Sequence, residues 1–239
     1  MLRVVRKNDL SIAIRREEIS RLLGYGDRQV PARVRRLLMD VEKEAQALLR
    51  PVSARLEMDA AAMARSPFLR DLDAVVVCLV TIGPALEEAV KAHHHAGELG
   101  RSLVLNAYGS AAVEVAADAA NEIIRRDVER RELLCSRRFS PGYGGWDVSE
   151  QRWIVEALEA ERLAVSLTEG CMMVPHKSIT FAVNTGTNPV EMRHDNACDG
   201  CGLATCDYRR RTVVTEEKGK TCTTFVGPES NFCPRDKWS

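Results

Sequence analysis

The chain has 239 residues, enough to bury a full core, and its 34 Lys+Arg balance its 34 Asp+Glu. That neutrality gives no reason to expect a nucleic acid or a membrane surface as partner. Arginines interrupt the N-terminus where a signal peptide needs an apolar stretch, and the longest apolar run, from Ala74, is too short to span a bilayer. A soluble cytoplasmic protein is expected.

In chain order, "LRVVR" and "LSIAI" read as a pair of strands joined by the turn "RKND". "REEISRLLGYG" is a short helix ending at glycine. Val34, Leu37, Leu38, Val41, Ala45 and Leu48 recur at three and four, which predicts an amphipathic helix that Pro51 stops. "SARLEM" and the β-branched run "AVVVCLV" predict strands, the second buried. Gly83 to Ala96 is a helix with Pro84 in its first turn, and the longest helix runs from about Arg101 to Leu133 with Tyr108, Ala111, Ala112, Val115, Ala119, Ile123 and Ile124 on one face. Asp147 and Glu150 have capping-box spacing and open a helix to about Leu163. "KSITFAVN" alternates as a strand.

The fold class is therefore α+β, with long helices on a mixed or antiparallel sheet. A small cysteine-rich, metal-binding C-terminal segment follows, so the expected division is residues 1–190 and 191–239. Of the eight cysteines, Cys78, Cys135 and Cys171 are scattered and read as small core residues. Cys198, Cys201 and Cys206 have the spacing C-x2-C-x4-C, with Gly200 and Gly202 letting the backbone wrap a centre. Three such thiolates suit zinc or an iron–sulfur cluster, and a redox-active dithiol is the other reading. Cys222 or Cys233 would be the fourth ligand, with His194 a weaker candidate. The arginines Arg209, Arg210 and Arg211 either offset thiolate charge, form a docking face or make a solvated turn.

Between two helical stretches the chain breaks at "RRFSPGYGGWDVSEQ", Arg137 to Gln151. Proline fixes φ and removes a donor, while the glycines permit positive φ or close backbone approach. The plain reading is a helix-to-helix loop. The functional reading is a loop holding a small ligand between an arginine and an aromatic ring.

This loop, together with "LTEGCMMVPHKSI", resembles the activation domain of cobalamin-dependent methionine synthase. The resemblance lies in Arg138, Gly142 and Tyr143, then Thr168 and Glu169, then Met173, Pro175 and Ser178, in that order and spacing. "RLLGYG" and "LNAYGSAAVEVAADAANEI" look like parts of compact stand-alone relatives. The resemblance implies S-adenosylmethionine binding, with contacts from Arg138, Ser140 and Tyr143 and a close backbone at Gly142. A guanidinium fork suits the carboxylate, and an aromatic face suits the sulfonium. Glu169 is expected to orient the arginine, to bind the cofactor amine or to form a structural ion pair.

The resemblance also implies a role in repair, in which a cob(II) corrinoid centre is reduced by one electron and captured by an irreversible methyl transfer. Positioning supplies most of what such a protein contributes, so no catalytic acid or base is expected. The chain has no cobalamin module, so a separate corrinoid-binding protein or methyltransferase is the implied partner, with "MMVPHKSI" near its corrin. The synthase takes electrons from outside; a cysteine cluster in the tail looks like an attached donor, which favours iron–sulfur over zinc. An external electron donor would feed that cluster. The alternatives are a non-catalytic corrinoid-protein adaptor with structural zinc, and an ordinary methyltransferase. The last is disfavoured because no glycine-rich strand-to-helix motif appears. The adjacent histidines of "HHH" at 93–95 point in different directions on a helix and would need a partner from elsewhere to complete a metal site, and Trp146, Trp153, Met172 and Met173 read as packing residues.

Overall fold

A computed structural model describes residues 4–8, 10–26, 28–190, 212–217 and 220–225, the last two spans as strand backbone. The order is β1 (Val5–Asn8), α1 (Arg16–Leu22), α2 (Ala32–Leu48), β2 (Val52–Met58), α3 (Ala60–Met63), β3 (Val75–Thr81), α4 (Ala85–His95), α5 (Leu99–Glu129) and β4 (Leu134–Cys135). A 3-10 turn at Val148–Glu150 leads into α6 (Gln151–Ala157), and a second follows at Ala160–Leu163. Then come β5 (Ser166–Leu167), β6 (Met173–Val174), β7 (Ser178–Gly186) and the hairpin β8 (Thr212–Glu217) and β9 (Lys220–Phe225). The main sheet has the order β1-β2-β3-β7-β4 and pairs antiparallel throughout. The chain is α+β, as its sequence predicts, and its sheet is not the doubly wound parallel type that binds dinucleotides.

β3 explains the two-layer cover. All seven of its residues are buried, because each face of the sheet has its own core. Val76, Cys78 and Val80, with Phe181 and Val183 of β7, pack under α1, α2, α4 and α5. Val75, Val77 and Leu79, with Leu56 and Met58 of β2, meet Phe139, Trp146, Ile154, Leu158 and Val165 on the other side. β2 turns Arg55 and Glu57 the opposite way, and both pair with the end of α5, at Asp127 and Arg131.

The alanines of α5 let it lie close to its neighbours: Ala111, Ala112, Ala116 and Ala117 are fully buried. The buried stripe is wider than the predicted face, running through Val104, Leu105, Tyr108, Ala112, Ala116, Ala120, Ile124 and Val128. Val115, Ala119 and Ile123 are only half-buried, because α5 packs on the sheet and on α1, α2 and α4 at once. Among the described residues no helix is long and apolar enough to cross a membrane.

Two sequence expectations are corrected. "LSIAI" is not a strand: β1 pairs with β2, and Leu10, Ile12 and Ile14 leave the sheet to pack in the helix-side core. Their apolar alternation is real, but it serves a crossing segment and not a ladder. The single helix to Leu163 is shorter, because Glu159 and Ala164 take left-handed φ of 51° and 54° and break it into α6 and a 3-10 turn.

Candidate functional site

The loop 137–151 is built from a strand-like edge and a tight turn. Ser136 N–H donates to Asn184 O, and Phe139 exchanges both backbone bonds with Ala182, at 2.9 and 2.7 Å. This pairing imposes a period of two on the side chains. Phe139 therefore points to the dry face and Arg138 to the helix face, where its guanidinium lies 5.9 Å from the centre of the Phe181 ring.

Beyond Phe139 the chain turns sharply. Gly142 N–H donates to Trp146 O at 2.7 Å, and Trp146 N–H donates to Tyr143 O at 2.9 Å. Gly142, Gly144 and Gly145 carry positive φ of 90°, 56° and 84°. A β-carbon at Gly142 would make only ordinary contact with Val148, at 3.7 Å, so backbone conformation and not crowding requires glycine there. Trp146 anchors the turn, stacked on Phe68 with centroids 5.2 Å apart, and its indole N–H donates to Glu150 at 2.8 Å. Tyr143 is left at the tip, 60% exposed. Ser140 is half-buried, and its carbonyl accepts from Tyr143 N–H at 3.3 Å.

The capping residue works as predicted, with Asp147 Oδ1 accepting from Ser149 N–H at 2.7 Å. The reciprocal half of a capping box does not form: Glu150 is spent on Trp146 and on the Ser66 hydroxyl.

Arg138 does not offer an open fork. Its Nη2 lies 2.8 Å from Glu114 Oε2 and 3.0 Å from Asp118 Oδ1, two residues one turn apart on α5. Burial alone would lower its pKa; Asp118 and Glu114 outweigh that and hold it above the ordinary arginine value. Two carboxylates thus face the same guanidinium nitrogen.

Glu114 also borders a cleft of about 300 Å³ between α1, α5 and the start of β7. Its other charged walls are Glu18, Arg21, His176 and Lys177. Arg21 and Glu18 close on each other, at 2.6 and 2.9 Å. Lys177 Nζ meets Ser110 Oγ at 2.8 Å, and its backbone N–H donates to Glu87 at 2.6 Å. Burial lowers the Lys177 pKa below the usual lysine value, against the opposing effect of Glu87.

The Met-x-Pro-x-x-Ser spacing has a local cause. Ser178 Oγ lies 2.8 Å from Pro175 O, closing the turn before β7, and 2.9 Å from Thr81 Oγ1 on β3. That closure fixes His176 and Lys177 at the cleft. Glu169 lies in the exposed turn between β5 and β6, where its carbonyl accepts from Arg152. Gln151, buried at the start of α6, joins this turn to the sheet by donating to Cys171 O at 2.7 Å and accepting from Thr180 Oγ1 at 2.8 Å.

Arg138, Ser140, Gly142 and Tyr143 thus share one loop; neither they nor Glu169 line the cleft, and Arg138 is joined to it only by its pair with Glu114. Sequence reasoning passed over Glu114, Asp118 and Lys177. The acidic pair gave no local signal, since α5 carries other charged residues such as Arg101, Glu122 and Arg125; Lys177 was hidden inside "MMVPHKSI".

Cys198, Cys201, Cys206 and Cys233, and His194, lie outside the described residues. Cys222 falls in β9, opposite Thr215 of β8. Among the described residues no three His, Cys, Asp or Glu side chains converge as metal ligands. Cys78 is buried, which pushes its thiol up to about 12; burial pushes the half-buried Cys135 to about 11, so both are packing thiols at neutral pH. His93 of the triple histidine lies between Glu44, at 2.7 Å, and Glu98, at 2.5 Å.

No protein-family model and no curated protein matches the chain. Among solved structures, it is similar to the MetH reactivation domain in a crystal structure bound to AdoHcy. The likeness has a TM-score of 0.57 and 16% identity, and covers 78% of this chain and 79% of that one. At that identity the likeness shows the fold, and the relation to the methionine synthase domain holds at that level.

Proposed function

We propose that this chain is an S-adenosylmethionine-binding reductive activator, returning the inactive cob(II) centre of a separate corrinoid protein to its methylated form. The sequence motifs and the shared fold support this reading. The observation that carries it is that His176, Lys177 and Ser178, from the second motif, line the same cleft as Glu114, the ion-pair partner of Arg138 from the first.

The donor set fits the cofactor's chemistry. S-adenosylmethionine carries a sulfonium, an ammonium and a carboxylate; when bound, it supplies an activated methyl group and leaves as S-adenosylhomocysteine. The carboxylate of Glu114, at the cleft, attracts the two cationic groups, and the half-exposed Asp118 adds its charge one turn away. Arg138 holds Glu114 at the cleft. Tyr143, exposed on a glycine-braced turn, presents an electron-rich face, while Ser140 and Gly142 contribute backbone and Glu169 a further carboxylate. The chain's part is to bind and orient, and no proton transfer is required of it.

In this reading residues 191–239 form a separate segment. Cys198, Cys201, Cys206 and Cys222 would hold an iron–sulfur cluster, which would supply one-electron chemistry. Zinc in the same thiolates would make the chain an adaptor without redox chemistry.

Titration calorimetry of the anaerobically handled full chain tests the first half, with heat of S-adenosylmethionine binding expected. No heat, with or without a reduced corrinoid protein, rejects it. A visible absorption band that bleaches with dithionite is the expected sign of the cluster; a colourless, zinc-containing chain rejects the electron route.

A further inference from the structure

We infer that Lys177, and not Arg138, receives the carboxylate of the bound nucleotide's amino-acid end, with Glu114 taking its ammonium. This rests on the S-adenosylmethionine reading above and assigns the recognition of one end of that ligand.

Arg138 is joined to the cleft through its pair with Glu114. Glu114 and Asp118 both face its Nη2, so a carboxylate arriving at this guanidinium would sit close to two like charges. Like charges at such a distance repel, and this arginine is a poor anion receptor. Arg21 borders the same cleft but is gripped by Glu18 through two nitrogens.

Lys177 differs. Its Nζ reaches across to α5 and meets a neutral hydroxyl, Ser110 Oγ, at 2.8 Å. An ammonium has three donors, so this contact leaves it able to bind a carboxylate without giving up its partner. Glu87, the acid whose charge acts on this lysine, bonds the backbone N–H at 2.6 Å and lies 3.7 Å from the His176 ring. Burial disfavours the bare ammonium, so an anion arriving at the cleft relieves a penalty that the free protein carries.

Space agrees with this assignment. A volume of about 300 Å³ is at the small end for a ligand pocket, enough for an amino-acid end with its sulfonium. Lys177, in the turn before β7, and Glu114, on α5, border that volume, offering one cation and one anion to a zwitterion. Gly109 makes room for the lysine: a β-carbon there would lie 3.4 Å from Lys177 Cε and 2.6 Å from Leu86 Cδ2.

The test compares S-adenosylmethionine with its decarboxylated analogue, by calorimetry on the full anaerobic chain and on Lys177→Met, which keeps an unbranched apolar stem. The unaltered chain is expected to prefer the carboxylated form about ten- to a hundredfold, the range of one charged hydrogen bond. Lys177→Met is expected to lose that preference while binding the decarboxylated analogue as before, which also shows that the site is folded. Equal losses for both nucleotides, an unchanged preference in the variant, or no preference in the unaltered chain each overturn the assignment but leave the broader reading standing. If the unaltered chain binds neither nucleotide, the broader reading falls and takes the assignment with it.

Discussion

The two faces of the central sheet use neighbouring residues of one loop for opposite purposes. On the dry face Phe139 and Trp146 pack with Phe68, and the one polar atom of the indole is answered by Glu150. On the helix face Arg138 enters a charged cluster with Glu114 and Asp118, beside a cleft edged by Lys177. The alternation of a strand is what divides "RRF" between them. The comparison teaches that a loop rich in glycine can owe its shape to stability and its exposed chemistry to function, with different residues carrying each.

If the dry face is structural, its changes must cost stability first. Trp146→Ala removes a fully buried stacked ring and leaves the Glu150 carboxylate with Ser66 alone, and should destabilise the fold by about 3–5 kcal/mol. Urea unfolding measures this; a loss below about 1 kcal/mol would break the division. Gly109→Ala probes the seam beneath the cleft. Helix propensity alone favours alanine by about 1 kcal/mol. Yet the new methyl would meet Leu86 at 2.6 Å inside a packed core, so a net loss of about 1–3 kcal/mol is expected. Nucleotide affinity should fall with it, since Lys177 shares that contact; a stabilised variant with unchanged binding would show that the seam yields freely.

The fold was legible in the sequence where local pattern and tertiary setting agreed. The run "AVVVCLV" is β-branched and became the central strand β3, while the alternation of "KSITFAVN" became β7. It was not legible where apolar residues serve two layers. Ile12 and Ile14 alternate as a strand would but pack under helices, and the α5 stripe broadens past a single face. Short elements such as β4 and the β5–β6 hairpin owe their pairing to contacts distant in sequence, which no local period records. For the site, the loop residues Arg138 and Tyr143 stood out by spacing. Their acidic partners did not, because an exposed-looking Glu114 in an alanine-rich helix is ordinary until Arg138 is folded onto it.

Glu114→Gln should reverse the pattern of Trp146→Ala. The pair it breaks is part-exposed, 23% for Arg138 and 39% for Glu114, and Asp118 still faces the arginine, so solvent screening keeps the stability cost near 1 kcal/mol. Binding of S-adenosylmethionine should suffer more, by about tenfold, because a charged contact to the ligand is lost. Calorimetry alongside urea unfolding reads both. A larger loss in stability than in binding would move Glu114 to the structural side of the comparison.

The smallest effect is expected at His93, which serves as a control for charge outside the cleft. Its ring bridges Glu44 and Glu98, and Arg101 adds a cation to Glu44. The hydrogen bond to Glu44 leads the causes that raise its pKa, against desolvation, with Glu98 adding to the rise. A raised folded-state pKa means the protonated ring binds better in the folded chain than in the unfolded one. The contribution is therefore full below the unfolded value of about 6.5 and fades as pH climbs through the higher folded value. For a surface pair it amounts to about 0.5 kcal/mol or less. Urea midpoints measured from acid to mildly alkaline pH should show this decline in the unaltered chain and its flattening in His93→Gln, with nucleotide affinity the same in both. A change in affinity would mean that charge on the far end of α4 reaches the cleft, and the site would then be an extended field and not the compact cluster around Glu114.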